Sequence, residues 1–259
     1  MNNIKKKLPS IPNQILNRLG FHISRKKDPW FSYVQSRYLE NSLNPFNLIA
    51  GHLISHGMIE TFVQVGANDG IHNDVVYPLL CSFKLRGLLI EPQPGPVAHL
   101  RNLHAGNPDI KIIEMAVAEA TSSLKLWRAC GDGHSKSVKT DALTSFSRPQ
   151  LEGQLAARGL DLTTESFDVP AASLETILKE HKLYHPNLVV IDTEGMDHLI
   201  IKQLNLNTCP PVMIQFESCH MSSNWLEGIR ERLKIAGYMF TLTERDVIAV
   251  HKNALPLIE

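Results

Sequence analysis

The chain predicts an α/β fold built on a mostly parallel sheet, and three observations carry that expectation. Phe62-Val-Gln-Val-Gly-Ala-Asn-Asp-Gly70 is a short apolar strand that stops at a glycine-bounded loop, with a helix expected to start near Asp74. Leu88-Leu89-Ile90 is a second apolar strand, and it ends in Glu91-Pro92. Leu188-Val-Val-Ile191 is a third, and it ends in the polar run Asp192-Thr-Glu-Gly-Met-Asp-His198. Strand tips that carry glycine loops and carboxylates are the usual ligand crevice of parallel sheets.

The remaining elements follow in order. A helix through Leu48–His56 leads to the first strand. A helix over Val97–Ala105 precedes a third-position strand at Ile110–Met115, then Ala116-Val117-Ala118 and a short strand at Ser123–Trp127. Arg128–Val169 is polar and rich in Gly, Ser and Thr. It breaks the βα rhythm and reads as a substrate-facing insertion, with His134, Lys136, Ser145, Phe146 and Arg148 as its candidates. Ala172–His181 is helical by pattern. Val212–Phe216 is a further strand, ending in Glu217 with Ser218, Cys219 and His220 after it. A helix over Asn224–Ala236 stops at Gly237, and Tyr238–Thr243 and Val247–Val250 read as an antiparallel hairpin.

Composition bounds the function. The chain has 259 residues, 43% of them apolar, enough for a substantial core. Formal net charge is zero, but seven of the 26 basic residues lie in residues 1–27, which hold no acid. The other 19 face 26 acidic residues, a net of −7. A mildly acidic body argues against nucleic-acid binding. Four cysteines without C-x-x-C spacing suit a reduced, cytoplasmic setting. Residues 1–50 form a basic and aromatic extension ahead of a domain at 51–259. Ile11, Ile15 and Leu19 give its first helix an apolar stripe. Two readings stand for residues 1–27: an arm packed on its own domain or a partner subunit, or a foot on the inner face of an anionic membrane.

Glu91 follows Gly70 by 21 residues, the placement of a strand-tip acid that accepts from ribose hydroxyls. Taken with the glycine loop it points to a nucleotide-like ligand. The cluster at Asp192–His198 exceeds what helix capping needs.

In order, Val65-Gly-Ala-Asn-Asp-Gly70, Ile90-Glu-Pro92, Ala116-Val117, the helix near Ser173-Leu-Glu and Ile191-Asp-Thr-Glu-Gly195 resemble the FkbM-type family of S-adenosylmethionine-dependent methyltransferases. The resemblance spans about Thr61 to Lys252. It implies a class I methyltransferase (Rossmann-like) fold, a seven-stranded mostly parallel sheet with helices on both faces and an antiparallel last strand. It also implies roles. Gly66, Ala67, Asn68, Asp69 and Gly70 would hold the methionine part of the cofactor. Glu91, beside Pro92, would hold the ribose, and Ala116 and Val117 would border the adenine. Asp192 and Glu194 would sit near the amine and the transferred methyl. Two positions depart from the family pattern. Gln64 stands where Asp is frequent and lends no charge to the cofactor's ammonium, a deficit that Asp69 is placed to offset. Val190 stands where Lys is frequent.

The implied reaction is O-methylation of a hydroxyl on a sugar, glycan or glycosylated metabolite. That hydroxyl needs a general base or a metal. The candidates are Asp192, Glu194, His198, Glu217 and His220, with Asp192, Glu194 and Glu217 as the set that would suit Mg²⁺. Two other readings use the same features: a nicotinamide-dependent oxidoreductase, which lacks its third glycine here, and a non-catalytic glycan-binding or scaffold protein.

Overall fold

A computed structural model of the protein describes residues 44–130, 143–193, 195–219, 221–243 and 245–257. The N-terminal stripe, His134, Lys136, Glu194 and His220 lie outside these residues.

The apolar runs pair as a seven-stranded sheet. Its strands in chain order are β1 (Thr61–Val65), β2 (Arg86–Ile90), β3 (Ile110–Ile113), β8 (Leu188–Ile191), β9 (Met213–Glu217), β10 (Tyr238–Leu242) and β11 (Asp246–His251). The spatial order is β10-β11-β9-β8-β1-β2-β3. β1 pairs parallel with β2 and β8, β2 with β3, and β8 with β9, whereas β11 runs antiparallel to both neighbours. The expected hairpin is therefore the antiparallel edge. Strand order reverses between β1 and β8, which puts the crevice at the tips Val65 and Ile191.

Helices cover both faces. On one lie α1 (Pro45–Ser55) and α2 (Tyr77–Ser82), with Phe46, Ala50, Leu53 and Leu79 packed on Phe62, Leu89, Val190 and Ile248. On the other, α5 (Leu174–Glu180), α6 (Asp197–Gln203) and α7 (Ser223–Ile235) bury Ile177, Ile200, Ile201, Ile229 and Leu233 on Val63, Leu88, Val189 and Ile214. α3 (Pro94–Leu103) links β2 to β3. Helix starts are set by caps: Asn44, Ser173 and Ser222 accept from the amides of Asn47, Thr176 and Trp225. α1 straddles the boundary drawn at residue 50, and its buried face belongs to the domain core.

The expected irregular insertion is corrected. β5 extends over Ser122–Cys130 and pairs antiparallel with β7 (Thr163–Ala172). With β4 (Ala116–Val117) and β6 (Thr144–Ser145) they form a second sheet, ordered β4-β7-β5-β6. α4 (Arg148–Ala157) packs beside it through Leu151 and Leu155. Each strand of the β5–β7 ribbon leaves many residues exposed, so its composition is that of a surface loop while the two strands pair along most of their length.

Candidate active site

The second sheet stands over the tips of the first, and a cavity of about 600 Å³ lies between them. Its main-sheet wall includes Gln64 to Asn68, Ile90 to Gln93, Val190 to Thr193, Gln215 and Glu217. The facing wall takes Ala116, Val117, Leu126, Thr144, Ser145, Phe146 and Arg158.

Gly66 makes the crevice possible. Its φ is +82°, and a Cβ there would stand 1.8 Å from the Asp192 carbonyl oxygen. The close approach lets β1 and β8 open side by side, with the Asp192 amide donating to the Val65 carbonyl at 2.9 Å. The loop's amides, however, turn inward. Gly66 and Ala67 donate to the Ile90 carbonyl at 2.9 and 3.1 Å. Asn68 donates to Glu91 Oε2 at 2.9 Å, and Gly70 to the Ala67 carbonyl. Ile71 and His72 donate to Asp69 Oδ1. These six amides are therefore engaged within the protein rather than turned toward a ligand.

Glu91 is buried, and its other oxygen, Oε1, accepts from the Gln93 amide at 3.0 Å. Burial raises its pKa against these hydrogen bonds. A carboxylate has capacity for further donors beyond the two it holds, and Glu91 lines the cavity.

Asp69 and Gly70 are not part of the cavity lining. Asp69 caps its own turn and meets His72 Nδ1 at 2.5 Å. Burial pushes its pKa up, but the hydrogen bonds from His72 and Ile71 hold it lower overall. Gly70 has φ +72°, and a Cβ there would stand 2.5 Å from Leu100 Cδ2, so it serves the packing of the loop on α3. The carboxylate that reaches Gln64 is Asp74, a residue without a motif to mark it. Gln64 Nε2 donates to Asp74 Oδ2 at 2.7 Å, while Asp74 Oδ1 accepts from the amides of Val76 and Tyr77 at 2.7 Å. Burial raises the pKa of Asp74. Because a carboxylate only accepts, the Gln64 amide is oriented, and its buried Oε1 has no partner among the described residues.

At the other end of the cavity, Arg245 Nη2 donates to Glu217 Oε1 at 2.5 Å, and Asp246 stands across from Glu217 in the β9–β11 ladder. Burial, then the charge of Glu217, raises the pKa of Asp246. Asp192 is exposed at the mouth. His198 is not part of the lining. Its ring packs 4.6 Å from that of Trp225, which also carries the Lys202 ammonium at 3.7 Å. Burial and then Lys202 lower its pKa. Among the described residues no three His, Cys, Asp or Glu side chains group to hold a metal ion. Of the expected Mg²⁺ set, Glu217 is engaged with Arg245, Asp192 is exposed, and Glu194 lies outside the described residues.

Five carboxylates line the cavity among the described residues: Asp74, Glu91, Asp192, Glu217 and Asp246. Arg158 and Arg245 are the guanidinium groups that accompany them. Asp74, Gln215 and Asp246 had no sequence signal beyond a position near a strand end or helix start.

The sheet order, the antiparallel last strand β11 inserted between β9 and β10, and the crevice at the order reversal define a class I methyltransferase architecture. The model of the family described as "Methyltransferase FkbM domain" matches residues 64–240, and the chain belongs to that family. No curated protein matches the chain. Among solved structures, an FkbM methyltransferase from Methylobacillus flagellatus KT is similar at 14% identity and a TM-score of 0.49. The match covers 92% of this chain and 57% of that one, so the chain spans little more than half of that protein. The METTL16 methyltransferase domain is similar at 14% identity, 96% and 95% coverage and a TM-score of 0.42. A precorrin-6y C5,15-methyltransferase from Geobacter metallireducens GS-15 is similar at 11% identity, 88% and 90% coverage and a TM-score of 0.38. Among the described residues no helix is long and apolar enough to cross a membrane.

Proposed function

We propose that the protein is an S-adenosylmethionine-dependent O-methyltransferase whose acceptor is a hydroxyl of a sugar, glycan or glycosylated metabolite. The observation that carries the cofactor assignment is the polarity of the loop. Six backbone amides of Gly66–His72 are engaged within the protein, and carboxylates line the cavity beyond them. A pyrophosphate needs free amides at a helix start. A cationic sulfonium with an ammonium group needs acceptors and negative potential, which is what this cavity offers. The nicotinamide reading loses support on the same ground.

The residues present fit the cofactor. Gln64 Oε1 supplies an acceptor for the ammonium, with Asp74 behind it providing charge. Glu91 retains capacity for ribose hydroxyls. Ala116 and Val117 give an apolar border for a base. When bound, the cofactor supplies an electrophilic methyl group on sulfur. The protein's part is to orient the acceptor hydroxyl, exclude water under the second sheet, and take the hydroxyl proton. Asp192 and Glu217, at the mouth and the far wall, are the described residues of the expected set that line the cavity, and we assign that last step to one of them. The sugar acceptor rests on the family's habit alone.

Calorimetric titration with S-adenosylmethionine, and with NAD as control, tests this reading. Saturable binding of S-adenosylmethionine alone is the expected result. Binding of NAD alone, or of neither, overturns it.

A further inference from the structure

The cavity contains more acceptor capacity than the cofactor would use, and the excess is gathered at β9. Gln64, Val190 and Gln215 occupy one row across β1, β8 and β9, since Gln64 pairs with Val190 and Val190 with Gln215. Strands lie about 4.8 Å apart, so the two glutamines are set about 10 Å apart on the same face of the sheet. Each has a carboxylate beside it. Gln64 donates to Asp74 at 2.7 Å, and Gln215 lies beside Asp246 at the start of β11, whose pKa it lowers against burial. Each keeps a buried Oε1 with no partner among the described residues. Gln215 is 7% exposed, and its side chain forms part of the cavity wall. A buried acceptor without a donor is costly and rare in a folded protein.

With Gln64 assigned to the cofactor, Gln215 is left with an unmet acceptor one strand beyond Val190. Its surroundings alternate in character. Asp246 accepts, Arg245 donates, and Glu217 accepts from Arg245 at 2.5 Å. A sugar hydroxyl suits such a place because it donates and accepts at once. A hydroxyl can donate to the Gln215 carbonyl and accept from a second group at once, which neither an ammonium, a donor only, nor a phosphate, chiefly an acceptor, does.

We infer that Gln215, beside Asp246, is the residue that positions the acceptor's sugar ring, by accepting a hydrogen bond from a ring hydroxyl at the β9–β11 end of the cavity. This rests on the methyltransferase reading and adds to it a specificity-determining residue. Gln215 acts by positioning, so its loss weakens sugar binding while leaving the cofactor site intact.

The test uses the full chain saturated with S-adenosylhomocysteine. The probes are methyl glucoside, methyl galactoside and methyl rhamnoside, followed by saturation-transfer NMR. The wild-type protein is expected to bind at least one at millimolar concentration. Gln215→Met, close in volume and without the carbonyl, is expected to weaken that binding tenfold or more. Asp246→Asn, which frees the Gln215 amide to turn over, is expected to weaken it severalfold. Both variants should keep the wild-type melting temperature within a few degrees and bind S-adenosylhomocysteine as the wild type does. A wild-type protein that binds S-adenosylhomocysteine but none of the glycosides overturns the sugar subsite and leaves the cofactor reading standing. Undiminished glycoside binding by Gln215→Met overturns the role of Gln215. Failure of the wild type to bind S-adenosylhomocysteine removes the methyltransferase reading itself.

Discussion

Thr193 Oγ1 donates to Asp197 Oδ2 at 2.7 Å, and the second oxygen of Asp197 accepts from the Glu217 amide at 3.2 Å. One carboxylate therefore ties the loop after β8 to the tip of β9, beside two of the site's acids, Asp192 and Glu217. Asp197 is 1% exposed, and burial, partly offset by Thr193 and reinforced by the charge of Glu217, pushes its pKa up to about 6. The unfolded value is about 3.9. A raised carboxyl pKa means the folded state holds its proton more tightly. Its stabilising contribution is full below about pH 4 and is lost as pH rises through 6. The difference corresponds to about 3 kcal/mol. Urea denaturation of the wild type and Asp197→Asn at intervals from pH 4 to 7 isolates it. The stability gap between the two should shift by about 2–3 kcal/mol against the wild type across that window. A constant gap would show that Asp197 titrates normally.

The two glycines that bracket the first loop look alike in sequence and have different duties. Gly66→Ala places a Cβ against the backbone of Asp192, at a φ that side chains avoid. Backbone cannot step aside, so a loss of more than about 3 kcal/mol and of S-adenosylmethionine binding is expected. Gly70→Ala meets the end of Leu100, a flexible side chain. Its cost should be about 1–3 kcal/mol, with cofactor binding kept in the folded fraction. Thermal melts paired with calorimetry separate the cases. Equal loss of binding in both variants would mean that Gly70 serves the ligand after all.

The parallel core was legible because its strands are short, wholly apolar runs that end in polar tips, as at Val65, Ile90 and Ile191. The second sheet was not. Trp127 pairs with Ser166 and Cys130 with Thr163, contacts set by long-range partners in strands whose outward faces are polar. Such strands carry no local pattern distinct from a loop. The site divides the same way. Gly66 and Glu91 stand in motifs, and the structure places both in the cavity wall. Asp74, Gln215 and Asp246 are single residues whose meaning comes only from the neighbour each one reaches. His198 sits in the most conspicuous polar run of the chain, yet its ring is spent on Trp225.

Asp74→Asn should separate charge from stability. The new side chain has one oxygen, which the amides of Val76 and Tyr77 will claim, as they claim Oδ1 now. Its amine then faces Gln64 Nε2, and the Gln64 amide turns over to present Oε1 to it. The number of unpartnered buried atoms is unchanged, Gln64 Nε2 taking the place of Oε1, and a buried carboxylate is removed, so stability should change by no more than about 1 kcal/mol. The cavity, though, exchanges an acceptor for a donor. S-adenosylmethionine affinity should fall on the order of tenfold, equivalent to about 1.4 kcal/mol. Calorimetry at neutral pH reads this directly, and unchanged affinity would detach Gln64 from the cofactor.

Glu91→Gln lacks that escape. Both oxygens of Glu91 accept from backbone amides, those of Asn68 and Gln93, and neither amide can be exchanged for an acceptor. One of them must face the new amine, at a cost of about 1–3 kcal/mol in stability. If Glu91 also holds the ribose, the loss should depend on the ligand's own hydroxyls. The wild type should discriminate between S-adenosylhomocysteine and its 2′-deoxy analogue by tenfold or more. The variant, already deprived of the contact, should discriminate severalfold less. Comparing the four affinities removes any general weakening of the loop from the result. Equal discrimination by both proteins would confine Glu91 to bracing Asn68 and Gln93, and the ribose would have to find its acceptor elsewhere in the cavity.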